Sequence, residues 1–127
     1  MTKRVVVVDA ANVVGSRPTG WWRDRPGATQ ELVTRMRAAT RDGRLAAPVV
    51  VVLEGKARDG APEATADGVE VVHARSEGDD AIVEVVAAHA ARDRAITVVS
   101  GDRGLAVRVR EHCADVVGPR WLNERVF

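Results

Sequence analysis

Residues 3–22 read KRVVVVDAANVVGSRPTGWW. Residues 5–8 are a continuous apolar run with no polar alternation, the pattern of a strand covered on both faces. The run stops at Asp9, and Asn12 follows three positions later. Residues 10–25, rich in Gly, Ser, Arg and Trp, are expected to form a long loop. A carboxylate at the exit of a buried strand is costly to leave unpaired, so some partner is required at that point.

The same pattern recurs along the chain. Residues 49–53 (VVVVL) form a second run that ends at Glu54-Gly55, and residues 69–73 (VEVVH) a third. Residues 96–99 (ITVV) lead into Ser100-Gly101-Asp102, and Val116-Val117 supplies a short fifth strand. Asp24 and Pro26 have the character of a helix cap and first turn. Leu32, Met36 and Ala39 then recur at helical spacing, with Glu31 four residues before Arg35, until Asp42-Gly43. Residues 56–68 are polar and irregular, with a single helical turn expected near Pro62. A helix is predicted over 79–92, with Ile82, Val85, Val86 and His89 as its apolar stripe. Another follows Asp102, with Leu105, Val109 and Cys113 on one side and Arg108, Arg110 and Glu111 on the other. Trp121 and Leu122 are expected to anchor the tail, residues 119–127. Buried strands alternating with helices predict one α/β domain over residues 1–127, three layers with a mainly parallel five-stranded sheet. In such sheets the ligand site lies beyond the carboxyl ends of the strands.

Composition is that of an ordinary soluble domain: 46% hydrophobic and 29% charged, with a formal charge of +1. No global field demands a nucleic acid or an anionic membrane, so any basic footprint must be local. Nearly all the cations are Arg, which favours planar, bidentate phosphate contacts. The lone Cys113 excludes an internal disulfide and a Cys-based metal site. The first apolar run is broken too early for a secretory leader, and no stretch is long enough to span a bilayer. The expected location is cytoplasmic. A homodimer is compatible with the sequence.

The chemistry-bearing residues are acidic. Asp9 ends the first strand, Glu54 the second; Asp79 and Asp80 open the helix after the third, and Asp102 follows the fourth. All fall at the carboxyl edge. Asp79 stands three and seven residues before Ile82 and Val86, which turns it inward. Taken singly, each acid has a structural explanation. Asp79 and Asp80 favour a helix N-terminus, Ser76 and Asp79 have the spacing of a capping box, Asp102 has the place of a cap, Asp9 that of an Asx turn, and Glu54 that of a surface strand end. Together they repel, by about 4 kcal/mol per pair at a separation of ~4 Å. A divalent cation offsets that, and oxygen-only donors select Mg²⁺ or Mn²⁺ over Zn²⁺.

The ordered set VVDAANVVGSRP, VVVVLEG, SEGDDAIVEVV and VVSGDRGL resembles the PIN-like nuclease superfamily, in particular its NYN and YacP-like branch. The resemblance implies a strand order of 3-2-1-4-5 and a metal-dependent ribonuclease that hydrolyses RNA phosphodiesters with Mg²⁺ or Mn²⁺. It implies Asp9 as the central metal ligand, Asp79, Asp80 and Asp102 as further catalytic carboxylates, and Asn12 and Ser100 as orienting groups. Glu54, where the branch commonly has Asp, is the least committed of the acids: the resemblance implies that it reaches the metal through a water or does not reach it.

Trp21-Trp22, flanked by Arg17 and Arg23, reads either as an arm that stacks bases and grips phosphates or as a cover for the sheet edge. Arg103, at a helix start, is placed for a phosphate oxygen. His73, His89 and His112 show no metal spacing. Two other functions fit the residues. One is a phosphohydrolase of a small nucleotide, although Ala11 stands where a second Asp would assist a nucleophilic aspartate. The other is a non-catalytic RNA-binding or adaptor module, for which a retained set of acids has no use.

Overall fold

The computed structural model describes residues 3–127. The sheet has six strands: β1 (Arg4–Asp9), β2 (Val49–Leu53), β3 (Thr65–Ala66), β4 (Val69–His73), β5 (Ala95–Val99) and β6 (Asp115–Val117). Their spatial order is β3-β4-β2-β1-β5-β6. The five strands expected from the sequence stand in the expected order and are mutually parallel. The addition is β3, a two-residue strand antiparallel to β4 at the edge. It lies within the stretch expected to be irregular.

Alternate side chains of the continuous runs feed two cores. Val6, Val8, Val49, Val51 and Leu53 pack with residues of α1 (Ala10–Gly15), α2 (Arg25–Arg41) and α5 (Pro119–Val126) on one face. Val5, Val7, Val50, Val52, Ile96 and Val98 pack with α3 (Gly78–Ala90) and α4 (Arg103–Arg110) on the other. Hence β1 between Val5 and Val8 and β2 contain no polar position: burying each Val is worth about 1.5–3 kcal/mol, and both faces are covered.

Three local expectations are corrected. Residues 10–15 are not loop: Asp9 caps α1 directly, and Trp21–Arg23 forms a 3-10 turn. The turn expected near Pro62 lies earlier, as a 3-10 segment over Gly55–Gly60. A Cβ on Gly60 would come within 2.6 Å of the Pro26 carbonyl oxygen, so only glycine lets this segment lie against α2. Cys113 does not share the buried side of α4, because the helix ends at Arg110 and Cys113 sits in a positive-φ turn, exposed. The cap and proline start of α2, its end at Asp42, and the burial of Leu122 are as expected. Among the described residues, no helix is long and apolar enough to cross a membrane.

Candidate functional site

Parallel order brings the carboxyl ends of β1, β2 and β5 side by side, with β1 in the middle. Asp9, the last residue of β1, is 7% exposed. Its backbone leaves the strand to begin α1, so the Asx turn anticipated there is a helix cap: Oδ1 accepts from the Asn12 amide at 3.4 Å. Oδ2 accepts from the Ser100 hydroxyl at 2.8 Å. Ser100 Oγ in turn accepts from the Asp102 amide at 3.1 Å. Asn12 Oδ1 accepts from the Gly101 amide at 2.7 Å. The loop between β5 and α4 is thus fastened to the start of α1 by two side chains, and both bonds converge on the neighbourhood of Asp9.

Asp102 caps α4, with Oδ1 accepting from the Leu105 amide at 3.0 Å. Glu54, at the end of β2, reaches across to α3 and accepts from the Gly78 amide at 2.8 Å. It, and not Ser76, supplies the acceptor at that helix start, whose N-cap residue is Glu77. Gly78 makes room for this: a Cβ there would sit 2.8 Å from Glu54 Cδ. Asp79 follows in the first turn, half-buried, its carboxylate making no hydrogen bond to any described residue.

Asp9, Glu54, Asp79 and Asp102 line one open cavity of about 260 Å³, together with Ala11 and Asn12. The carboxyl group of Asp9 is raised above the ordinary carboxylate range, first by burial and then by the charges of Asp79 and Glu54, against the hydrogen bonds from Ser100 and Asn12. That of Asp79 is raised by burial and by Asp102, Glu54 and Glu77, with Arg108 opposing. The ionised forms of Asp9 and Asp79 are therefore disfavoured by their surroundings. Among the described residues, no three acids, His or Cys converge tightly enough to enclose an ion by side chains alone. Three of the four acids have an oxygen engaged with a backbone amide; Asp9 has its second oxygen on Ser100, whereas Glu54 and Asp102 each keep one oxygen over and Asp79 keeps both.

The other expected residues lie elsewhere. Asp80 points away from the cavity: Oδ1 accepts from Arg108 at 2.9 Å, and the residue lines a separate depression with Glu84. Adjacent residues on a helix diverge by about 100°, and here Asp79 faces the cavity while Asp80 does not. Arg17 stacks on the C-terminal residue. Its guanidinium lies 3.4 Å from the centre of the Phe127 ring. Arg23 is exposed beside Trp22, 5.9 Å from its ring centre. Arg103 is exposed in the first turn of α4, after Asp102. The tryptophans divide: Trp22 is 59% exposed, whereas Trp21 packs against the core and meets Trp22 edge-on at 6.0 Å. Of the histidines, His73 bonds the Ala61 carbonyl, and His89 accepts from Arg94.

A second, larger cavity of about 470 Å³ adjoins the first and shares Ala11 and Glu54 with it. Its walls include Trp21, Arg25, Thr29, Ser76 and Glu77. Of these, only Trp21 was singled out in the sequence as a binding residue, Ser76 having been read as a helix cap. Arg25 and Thr29 stand four residues apart just after the Asp24 cap, a spacing that places them on one face of α2.

No protein-family model and no curated protein matches this chain. Solved structures do. Rae1 (YacP) from Bacillus subtilis superposes with a TM-score of 0.67 at 19% identity, over 96% of this chain and 72% of that one. A mutant of the same protein gives a TM-score of 0.70 at 20% identity, over 99% and 75% of the two chains. The fold is YacP-like.

Proposed function

We propose that this chain is a metal-dependent ribonuclease of the PIN-like superfamily, in its NYN and YacP-like branch. The observation that carries the proposal is the cavity lined by Asp9, Glu54, Asp79 and Asp102, drawn from four separate segments to one sheet edge. Three of these acids also brace helix starts, which neutral caps could do as well. Burial and repulsion oppose the ionisation of Asp9 and Asp79, a perturbation characteristic of functional sites. The likeness to YacP agrees with the family resemblance read from the sequence.

The donor set suits Mg²⁺ or Mn²⁺. Mg²⁺ is characteristically held by one or two carboxylates, with waters and substrate phosphate completing its shell, so an open cavity with spare carboxylate oxygens fits it. Asp9 and Asp79 are the residues that would hold it, with Asp102 and Glu54 on either side. When bound, the ion lowers the pKa of water and neutralises charge on the phosphate. Ser100 fixes the orientation of Asp9. Asn12 holds the β5–α4 loop, and with it Asp102, at the rim. Arg103 is the exposed cation beside that rim for a phosphate oxygen. Nucleophilic aspartate chemistry is disfavoured, because Ala11 carries no acid to assist Asp9.

The test is incubation of the purified protein with single-stranded RNA. Cleavage is expected with Mn²⁺ or Mg²⁺ and is expected to cease with EDTA. RNA that survives intact in both ions, or cleavage that persists in EDTA, contradicts the proposal.

A further inference from the structure

We infer that the cavity beside the acids is a nucleobase subsite, which receives one unpaired base of the nucleotide whose phosphate lies over Asp9 and Asp79. The inference rests on the ribonuclease reading and adds to it a specific binding site. At about 470 Å³ the cavity falls within the ~300–1,000 Å³ range of small-molecule sites. It opens onto the acid cavity along Ala11 and Glu54, so one nucleotide can extend across both.

The walls select a base over a phosphate. Their ionisable groups are Arg25, Glu54 and Glu77, one cation against two anions, so a second phosphate is repelled. A base carries no charge, offers N–H groups to carboxylate and hydroxyl acceptors, and presents a π-face to an aromatic wall. Trp21 is that wall. It is held by the core and by Trp22. The Arg25 guanidinium lies 5.3 Å from its ring centre. Such a ring is ordered before ligand arrives, so stacking costs little side-chain entropy. Ser76, exposed, supplies a hydroxyl-bearing side chain on another part of the wall, and Thr29 borders the cavity as a buried residue. A base that enters this cavity must first leave its own stack.

The experiment scans one abasic nucleotide along a single-stranded RNA of fixed sequence and measures kcat/KM in Mn²⁺. In the wild type, loss of one particular base next to the cut is expected to lower kcat/KM by about 10- to 100-fold. Trp21→Leu and Ser76→Trp, the latter filling the cavity without removing core contacts, are expected to lower cleavage of intact RNA comparably. They are also expected to erase the abasic penalty, and Trp21→Phe to restore much of it. An unchanged rate at every abasic position, or a penalty that persists in Ser76→Trp, overturns the inference while the ribonuclease reading stands. If RNA is not cleaved at all, that reading fails, and calorimetry with each of the four ribonucleoside 5′-monophosphates decides the subsite. Binding that Ser76→Trp abolishes sustains it with a free nucleotide as the source, and no binding to any of the four overturns it.

Discussion

Replacement of Asp9 by Asn is expected to reduce Mn²⁺-dependent RNA cleavage by more than about 100-fold, beyond the ~10–100-fold typical of groups that only support a metal ligand. The fold should tolerate the change. Asn keeps the shape of the side chain and one carbonyl oxygen, which can still cap α1 or accept from Ser100, the two bonds that Asp9 makes. What disappears is the negative charge, which burial, Asp79 and Glu54 all disfavour. The melting temperature in metal-free buffer at neutral pH is therefore expected to hold or rise while activity falls. Circular dichroism melts beside single-turnover cleavage check both halves. Loss of folding together with activity would make Asp9 a structural residue, and retained cleavage would remove it from the site.

The second large contrast is between neighbours. Asp79→Asn is expected to lose cleavage by more than about 100-fold, and Asp80→Asn to keep it. Asp79 lines the acid cavity, while Asp80 pairs with Arg108 in the open, where the loss of an exposed ion pair costs about 0.2–1 kcal/mol. The pH dependence of stability separates the two further. Because the folded state raises the Asp79 carboxyl, folded protein holds that proton more tightly than unfolded chain. The resulting cost is absent below the unfolded carboxylate range. It grows as pH rises through the folded value and is complete above it. Asp79→Asn should thus raise the metal-free melting temperature at pH 7 more than near pH 4, and Mn²⁺ should stabilise the wild type more at pH 7 than at pH 4. Thermal melts of both variants with and without Mn²⁺ measure this. An Asp79→Asn protein that keeps both full activity and the wild-type response to Mn²⁺ contradicts the assignment.

These neighbours also illustrate what a sequence yields. Helical geometry alone turned Asp79 inward, because its spacing to Ile82 and Val86 is local, but the destination of Asp80 depended on Arg108, on another helix. The strands were legible for a similar reason: a run such as VVVVL is buried on both faces or it is not stable. Helix α1 was not. AANVVG has no apolar stripe, two β-branched residues and a terminal glycine, all weak for a helix. It forms because Val13 and Val14 are drawn into the core and Asp9 caps it. The stacking of Arg17 on Phe127 was not legible either, because that ring comes from the opposite end of the chain. Glu54 looked the least committed acid, yet it bridges two elements through the Gly78 amide and lines both cavities. The cavity of Trp21 was legible only in part, since Ser76 and Glu77 come to it from a distant loop.

The account turns on whether the acids at the sheet edge share a hard cation. Anomalous diffraction from crystals soaked in Mn²⁺ measures that directly. The predicted result is a peak in the cavity between Asp9 and Asp79, within coordination reach of both carboxylates and absent from Asp9→Asn crystals. A cavity without a peak at saturating Mn²⁺, with Asp9, Glu54 and Asp102 still bonded to their present partners, would contradict it.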